Sequence, residues 1–387
     1  MTSAVIMGAA ETPFSRRSDL SDLEIIGDAI RLALQDAGIA KDDVDGLAIC
    51  ANVLPDDSSY IATHLGFELR WTMKADFGGA SSLISMIRAR QAIESGAADV
   101  VVAVGGGNRA DFPELHHDAL SPQLDYMNRS FVLPYGYGGP NSSFGLVQRR
   151  HMYEYGTTLE QLGIIATTFR RHAALNDNAL LREPMTIEDY IESPLISDPI
   201  RKLDCVMRCA GGAAVVLCSD EFAAGLSRRP VHMGASAENH AHQVGRGTPD
   251  RLETGFVAIR DGLFADVSRE SLDFLQLYDD YPIAVLKQLE DLGFCDLGDG
   301  GPFLESTDIS IGGDLPINTG GGLLSGGQPR LGGGFIPVVE AVRQLRGEAG
   351  PRQLPDAARG FVSGIGLIDY VSNLVVTSGM ILSKDAA

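Results

Sequence analysis

Residues 81–107 read SSLISMIRARQAIESGAADVVVAVGGG and contain two elements of regular structure in direct succession. Residues 81–95 predict a helix, and Gly96 stands just after it, where glycine is favoured at a helix C-terminus. Residues 99–104 predict a buried strand, because they form a short apolar run rich in valine. A helix that leads directly into a buried strand indicates an α/β layered fold.

The same alternation continues on both sides of this stretch. Residues 21–36 carry apolar side chains at helical spacing, with Ser21 or Asp22 available as the N-cap and Gly38 just beyond the end. Residues 268–291 predict two helices that are separated around residues 278–282. The other predicted elements are strands at 4–7, 44–51, 211–218, 231–238 and from 360 onward, and helices at 144–155, 158–175, 186–193 and 335–345.

The second part of the chain repeats the order of strands and glycine-rich loops of the first part. We therefore predict an internal pseudo-repeat, with one half over residues 1–220 and the other over 221–387. Residues 111–143 contain four prolines and no regular pattern, so the first half is expected to include a loop subdomain over about 111–210. No linker of low complexity divides the halves, which predicts one packed body.

Composition and charge exclude several functional classes. The 387 residues are 44% hydrophobic, and 31 basic side chains stand against 51 acidic ones, a net charge of −20. Without a basic cluster, a nucleic-acid or anionic-membrane partner is not expected, and an anionic substrate would need a local basic patch. The sequence shows neither a secretory signal nor an apolar run of the roughly 20 residues that a membrane helix needs. These features predict a soluble, cytoplasmic protein.

The cysteines predict reduced thiols and no metal site. There are five, an odd number at irregular spacing in a chain too large to need disulfides. Cys205 and Cys209 form a CxxxC pair, but no histidine or second cysteine pair lies nearby in the sequence. His240 and His242 are interpreted as polar loop residues rather than as ligands. The glycines at 105–107 lack the GxGxxG spacing, so a dinucleotide site is not expected.

Six stretches together resemble the thiolase superfamily, in its sterol-carrier-protein and lipid-transfer branch. They follow the family's order along most of the chain. They are HMYEYGTT (151–158), RHAALNDN (171–178), DPIRKLDC (198–205), LEDLGFC (289–295), LPINTGGGLLS (315–325) and AVRQLRGEAG (341–350). The resemblance implies an α/β thiolase fold of five layers, αβαβα, with two mixed sheets in pseudo-symmetric halves. It also implies a homodimer formed through a sheet edge.

The resemblance also shows which catalytic groups are missing. A thiolase uses a nucleophilic cysteine at the start of a buried helix, a histidine in a GHP loop and a second cysteine in a CxG loop. The corresponding positions here are Gly79, Gln328 and Gly364. Three losses together exclude a covalent acyl-enzyme, because neither glycine nor glutamine supplies a nucleophile or a base near neutral pH. Ser81 and Ser82 are read either as caps of the helix or as replacement nucleophiles.

The segment Tyr278-Asp279-Asp280-Tyr281 stands where the family carries its water-positioning motif. Related aldolases of the branch have a Tyr-Asp-Cys-Phe motif there, so Tyr278 is the candidate for proton transfer, with Asp279 or Asp280 tuning or replacing it. The alternative is that the two tyrosines pack in the core and the aspartates cap a helix. Gln328 stands where those aldolases tend to have a tyrosine and is a candidate donor to a carbonyl oxygen. The candidate substrate-binding residues are Gly79, Ser81, Gly320, Gly364, Gly366 and Tyr281.

These residues imply chemistry on a coenzyme A thioester without an intrinsic cofactor. The leading hypothesis is retro-aldol cleavage of a β-hydroxyacyl-CoA from steroid, aromatic or branched-acid catabolism, which needs a base and donors for the enolate oxygen. An acyltransferase that works without an acyl-enzyme is the second hypothesis. A non-catalytic or lipid-binding subunit of a heteromeric complex is the third. The resemblance also implies a small partner protein with an OB-fold and a zinc ribbon, which contributes to acyl-CoA binding.

Overall fold

The computed structural model describes residues 2–50, 58–108, 130, 133–136, 139–240, 252–366 and 376–386. The first half contains both strands and helices. Its strands are β1 (Ala4–Glu11), β2 (Gly46–Cys50), β3 (Trp71–Lys74), β4 (Val100–Gly107), β5 (Leu195–Ser197), β6 (Ile200–Arg201) and β7 (Gly211–Ser219). Its helices are α1 (Asp22–Ala37), α2 (Ser58–Leu65), α3 (Ser81–Glu94), α4 (Pro140–Tyr155), α5 (Leu159–Ala174) and α6 (Ile187–Glu192).

The second half begins with α7 (Asp220–Ala223) and β8 (Val231–His240). Its other strands are β9 (Phe274–Gln276), β10 (Arg359–Gly366) and β11 (Val376–Ser383). Its other helices are α8 (Phe256–Leu263), α9 (Pro282–Asp291), α10 (Gly300–Ser306), α11 (Gly322–Gly326) and α12 (Phe335–Arg346). No helix in the described part of the chain is long and apolar enough to cross a membrane.

The predicted pseudo-repeat is visible in the strand order of the main sheet, β3-β2-β4-β7-β1-β8-β11-β10-β9. In the first half, β1 pairs antiparallel with β7, β7 antiparallel with β4, and β4 parallel with β2. In the second half, β8, β11, β10 and β9 follow the same sequence of antiparallel, antiparallel and parallel pairs. The two halves are therefore related by order and direction, as two copies of one unit would be.

The junction between the halves differs from the expectation of two separate sheets. Val5 pairs with His232 and Ile6 with Val231, so β1 and β8 hydrogen-bond along a short antiparallel contact. Apart from β5 and β6, which pair with each other in a separate small sheet, the described strands of both halves thereby form one continuous nine-stranded sheet. The boundary proposed at residue 220 falls between β7 and β8, and it stays a prediction.

Local sequence signals explain the helix ends. Ser21 caps α1, and a reciprocal capping box joins its side chain to the backbone of Glu24 and the Glu24 carboxylate to the backbone of Ser21. Gly38 ends the same helix with a φ of 69°, a left-handed conformation that glycine adopts without strain. Thr158 caps α5 in the same way, together with Gln161. The predicted ends of these helices are confirmed to within one or two residues.

Two local predictions are wrong. The first helix predicted within residues 268–291 is absent, and β9 lies there instead, because it pairs parallel with β10 and Leu275 bridges Ile317. Gly105 to Gly107 do not follow β4 but belong to it, paired with β7. A Cβ at Gly105 would lie 2.8 Å from the Leu331 oxygen, so the glycines let backbone segments approach closely. Much of the predicted loop at 111–143, with His116 and His117, lies outside the described residues, as does His242.

Candidate active site

Tyr278 follows β9, and a closed ring of hydrogen bonds holds its backbone. Its N–H donates to Ser363 Oγ at 2.9 Å, and its carbonyl oxygen accepts from Gln288 Nε2 at 2.9 Å. Ser363 Oγ in turn donates to Gln288 Oε1 at 2.5 Å. Ser363 lies on β10 and Gln288 on α9, and both are fully buried. This arrangement, the Gln288–Ser363 clamp, attaches Tyr278 to two elements of the second half.

A second contact holds the residue before Tyr278. The Asn318 side chain accepts from Leu277 N at 2.6 Å and donates to Leu277 O at 2.8 Å. Asn318 has a positive φ of 51°, and its own carbonyl faces His172 Nδ1 at 3.1 Å. His172 Nε2 accepts from Ile311 N–H, so Nδ1 carries the proton and donates. Burial lowers the pKa of His172 to about 4, which keeps the imidazole neutral in this role.

The Tyr278 hydroxyl lies among polar groups from two segments. Gln328 Nε2 donates one hydrogen to the phenol oxygen at 2.6 Å and the other to Asp280 Oδ1 at 3.1 Å. The Gln328 amide group thus bridges the phenol oxygen of Tyr278 and the Asp280 carboxyl group. The Gln328 backbone is held by the first half, since its N–H donates to Met207 O at 2.8 Å. Phenol, carboxyl and amide therefore form one connected group.

The charge states in this group follow from burial. Burial and the neighbouring Asp280 carboxylate raise the pKa of the Tyr278 phenol well above its usual value, so the phenol is protonated at neutral pH. Burial also raises the pKa of Asp280 to about 6, against the opposing effects of its hydrogen bonds and of Arg208. A carboxyl with a pKa close to the operating pH is suited to accept and return a proton. A protonated phenol that shares the Gln328 amide with such a carboxyl can relay a proton between a substrate and Asp280.

The Tyr278 ring fills the space that a side chain at position 79 would occupy. A Cβ built on Gly79 would overlap the ring carbons and the hydroxyl of Tyr278. Gly364 and Gly366 of β10 pack closely on the same segment: a Cβ at Gly364 would lie 2.9 Å from Ala80 Cα, and one at Gly366 would overlap Phe77 O. The glycines at the expected cysteine positions are therefore sterically required here.

Asp279 and Asp280 are adjacent but face different surroundings. The two Asp279 carboxylate oxygens accept from the N–H groups of Leu323 and Leu324, at 2.7 and 3.1 Å. Asp279 is fully buried and caps the start of α11, with a pKa that burial raises well above the usual value. The proton-transfer role of Asp279 stays a prediction, and its contacts in the structure are those of a helix cap. The helix directly after the motif is α9, but the helix that Asp279 caps is α11.

The remaining predicted residues are distributed as follows. The Tyr281 hydroxyl donates to Asn141 Oδ1, and its ring packs on Phe144 with 4.1 Å between the centroids. Ser81 is buried and accepts from Phe77 N–H at 2.8 Å, a contact that lies before α3, and no described side chain caps the start of that helix. Gly320 lies in the loop before α11, its carbonyl bound by the Asn176 side chain. Tyr281, Ser81 and Gly320 thus make contacts of their own beside the central group.

Asn318, Gln288 and Ser363 are site residues that sequence reasoning missed. Asn318 and Ser363 stand within stretches already singled out, but nothing in their spacing indicated contacts with Tyr278. Gln288 gave no clear signal either, because this polar residue shares its helix with Lys287, Glu290 and Asp291, and only the fold shows that it is buried. Such a residue needs a buried partner.

Metal chemistry finds no support in the described residues, among which no group of three or more His, Cys, Asp or Glu side chains could hold an ion. Cys205 Sγ donates to Asn141 Oδ1, and burial raises the pKa of this thiol to about 12. Cys209 is buried and forms no disulfide. Fold and site together therefore define an α/β protein with a phenol–carboxyl pair at a position from which the nucleophile has been lost.

The comparisons with known proteins agree with this definition. The family model of the thiolase N-terminal domain matches residues 4–172, and that of the thiolase C-terminal domain-like family matches residues 259–378. The chain belongs to the thiolase superfamily, in its sterol-carrier-protein-like branch. The expected thiolase fold is thereby confirmed.

Three full-length relatives differ in activity. The chain is 34% identical to the 17-hydroxy-3-oxo-4-pregnene-20-carboxyl-CoA lyase of Mycobacterium tuberculosis, over 89% of this chain and 92% of the relative. It is 32% identical to the steroid side-chain-cleaving aldolase of Thermomonospora curvata, over 99% of this chain and 98% of the relative. It is 31% identical to the acetyl-CoA acetyltransferase of Methanothermobacter thermautotrophicus, over 95% of this chain and 97% of the relative. The chain is thus similar to lyases and to an acyltransferase, and it is an enzyme of the thiolase superfamily.

Among solved structures, the chain is similar to an Ltp2-ChsH2(DUF35) aldolase. The TM-score is 0.86 at 29% identity, and the similarity covers 98% of this chain and 97% of the other. The SCP2-thiolase like protein type 1 from Mycobacterium smegmatis has a TM-score of 0.73 at 19% identity, which supports the fold alone.

Proposed function

We propose that this protein is a lyase that cleaves a β-hydroxyacyl-CoA thioester by a retro-aldol reaction, without a covalent intermediate. The observation that carries the proposal is the Tyr278 phenol over Gly79, whose oxygen accepts from the same Gln328 amide that donates to the Asp280 carboxyl group. A phenol–carboxyl pair can move a proton, and a site without a nucleophile cannot form an acyl-enzyme. The similarity to two steroid-cleaving enzymes supports the same reaction class.

The reaction balances with the groups present. The Tyr278 oxygen takes the proton of the substrate β-hydroxyl while the phenol passes its own proton to Asp280. The bond between the α- and β-carbons then breaks, the β-carbon becomes a ketone or aldehyde, and the electron pair remains on the thioester enolate. The proton returns through the same relay to the α-carbon, so an acyl-CoA leaves and no co-reactant is consumed. Gln328 donates to both the phenol oxygen and Asp280 and holds the two groups of the relay in place.

The substrate class is proposed as a CoA thioester with a branched or steroid-derived side chain. Support comes from the names of the two lyase relatives. We also propose a small partner protein of the DUF35 type, which the resemblance describes as an OB-fold with a zinc ribbon. The similar solved aldolase is a protein of two named components, Ltp2 and ChsH2(DUF35). A chain with a net charge of −20 benefits from a partner that helps to bind an anionic CoA.

The test is an assay of the purified chain, alone and with the partner, on a β-hydroxyacyl-CoA. We expect equal amounts of a carbonyl product and a shortened acyl-CoA, with no consumption of free CoA. Consumption of free CoA would instead indicate the acyltransferase alternative. Absence of a carbonyl product under both conditions, across straight-chain, branched and steroid substrates, would overturn the proposal and favour a non-catalytic subunit.

A further inference from the structure

Ser378 carries a buried hydroxyl without a hydrogen-bond partner. It lies on β11, directly opposite Gly364 of β10 in the antiparallel register. Its side chain is fully buried, and the described residues offer its oxygen no hydrogen-bond partner. Buried hydroxyls are nearly always paired in folded proteins, so an unpaired one requires an explanation.

The position of this hydroxyl relates it to the site. A Cβ built on Gly364 would lie 2.7 Å from Ser378 Oγ and 3.1 Å from the carbonyl oxygen of Gly79. Gly364 is the position at which the family resemblance puts the second cysteine of thiolases. Gly79 is the residue covered by the Tyr278 ring. The Ser378 hydroxyl and the Gly79 carbonyl oxygen therefore both border the space into which a side chain at position 364 would extend.

The neighbouring Thr377 offers a direct contrast. It too is fully buried, and its hydroxyl also has no hydrogen-bond partner among the described residues. As the next residue on β11 it faces the other side of the sheet, where its oxygen lies close to Gly255 at the start of α8. The two hydroxyls are alike in burial and lack of partner, but Ser378 alone faces the segment of Gly79 and Ala80.

One competing partner is present on the same face. Glu238 of β8 is opposite Ser378 in the register, and its Oε2 is buried without a partner, while its Oε1 binds Arg88. A rotation of the Ser378 hydroxyl toward Glu238 would give this serine a purely structural role. The experiment must separate that role from contact with a substrate.

We propose that Ser378 Oγ–H donates a hydrogen bond to the thioester carbonyl oxygen of the bound acyl-CoA. The inference rests on the proposed function and adds a substrate-binding residue to it. A hydroxyl can turn its hydrogen to a carbonyl oxygen, and a donor at that oxygen stabilises the enolate that forms when the α–β bond breaks. Ser378 would thus act on the oxygen, and the Tyr278 relay on the β-hydroxyl.

The test has a spectroscopic readout that does not require cleavage. Acetyl-CoA labelled with carbon-13 at the carbonyl is bound to the full chain, and the infrared carbonyl stretch is compared between wild type, Ser378→Ala and Thr377→Val. A donor to the oxygen lowers the stretching frequency. We expect Ser378→Ala to return it toward the value in water, Ser378→Thr to restore much of the shift, and Thr377→Val to leave it unchanged.

The kinetic readout uses the β-hydroxyacyl-CoA that the wild type cleaves. Removal of a donor of this kind lowers kcat by about 10²-fold, and Thr377→Val should keep wild-type kcat. The inference is overturned if the wild type shows no shifted carbonyl band, if Ser378→Ala leaves the band in place, or if Thr377→Val changes it equally. A Ser378-dependent band without cleavage would refute the proposed lyase function alone. Cleavage with a Ser378-independent band would refute only this inference.

Discussion

The two halves of the molecule share one strand order but contribute different things to the site. The first half supplies Gly79 and Ala80 at the start of α3. Because Gly79 has no side chain, it leaves the space that the Tyr278 ring occupies. The second half supplies Tyr278 and Asp280 after β9, and Gln328 after α11, that is, the titratable and hydrogen-bonding groups. Repetition of a fold therefore does not repeat its chemistry. One half lost a side chain, and the other half fills the space with a phenol.

The largest expected effect comes from removing the contribution of the second half. Tyr278→Phe keeps the ring over Gly79 but removes the hydroxyl of the relay, so we expect kcat to fall by about 10²- to 10⁴-fold, with a loss of Tm typical of a buried hydroxyl. Tyr190→Phe is the matched control, because it removes another buried phenol hydroxyl, which donates to Asp204. It should lower Tm and leave kcat near wild type. Equal kcat for wild type and Tyr278→Phe would exclude Tyr278 from catalysis.

The next largest effect on stability and kcat is expected when a side chain is added at Gly79 in the first half. Gly79→Ala adds a methyl group where the Tyr278 ring lies, while the Gly79 φ lies outside the left-handed region, so the conflict is steric. Overpacking of this kind costs about 1–3 kcal/mol of unfolding free energy, and a displaced phenol costs about 10²-fold in kcat. The double variant Gly79→Ala with Tyr278→Ala should recover stability relative to the sum of the single changes. Additive losses in urea unfolding would show that the two positions do not share this space.

The pH profile tests the carboxyl of the second half. Because the pKa of Asp280 is raised to about 6, kcat/KM should rise as pH increases through about 6, where the carboxylate forms, and then stay level. The raised pKa of Tyr278 keeps the phenol protonated. We therefore expect kcat/KM not to decrease on the alkaline side until the pH exceeds the usual pKa of tyrosine. Asp280→Asn should remove the acidic limb and lower the plateau. Persistence of that limb in Asp280→Asn would assign it to another group.

The Gln288–Ser363 clamp tests whether positioning matters within the second half. Gln288→Leu removes the donor to the Tyr278 carbonyl and the acceptor for Ser363. We expect kcat to fall about tenfold with KM nearly unchanged, because the phenol remains but is held less well. Gln288→Glu keeps the acceptor for Ser363 and should be less impaired than Gln288→Leu. A loss confined to Tm, with unchanged kcat in both variants, would make the clamp purely structural.

The smallest effect on kcat is expected at Asp279. Asp279→Asn replaces one of two acceptor oxygens with a donor that faces a backbone N–H at the start of α11. Leaving that N–H unpaired costs about 1–3 kcal/mol of unfolding free energy, while kcat should change less than in Asp280→Asn. Chemical denaturation and kinetics on the two asparagine variants provide the comparison. A larger kcat loss at 279 than at 280 would reverse the roles assigned to the two carboxyl groups.

Much of the fold was predictable because its signals are local. The capping box at Ser21, the left-handed Gly38 and the valine run of β4 depend on a few neighbouring residues. The β9 strand was missed because three residues carry little periodicity. Their strand conformation depends on pairing with β10, which lies far away in the sequence.

The sequence by itself predicted that the cysteine and histidine chemistry of thiolases is absent, since the resemblance assigns those positions to Gly79, Gln328 and Gly364, which have no side chain able to perform it. Only the tertiary structure decided which groups the two aspartates contact, with Asp279 on the N–H groups of α11 and Asp280 on the Gln328 amide that also binds the phenol. Adjacent residues with the same side chain carry the same local signal. What separates them is which distant backbone each one meets, and that depends on the packing of the whole chain.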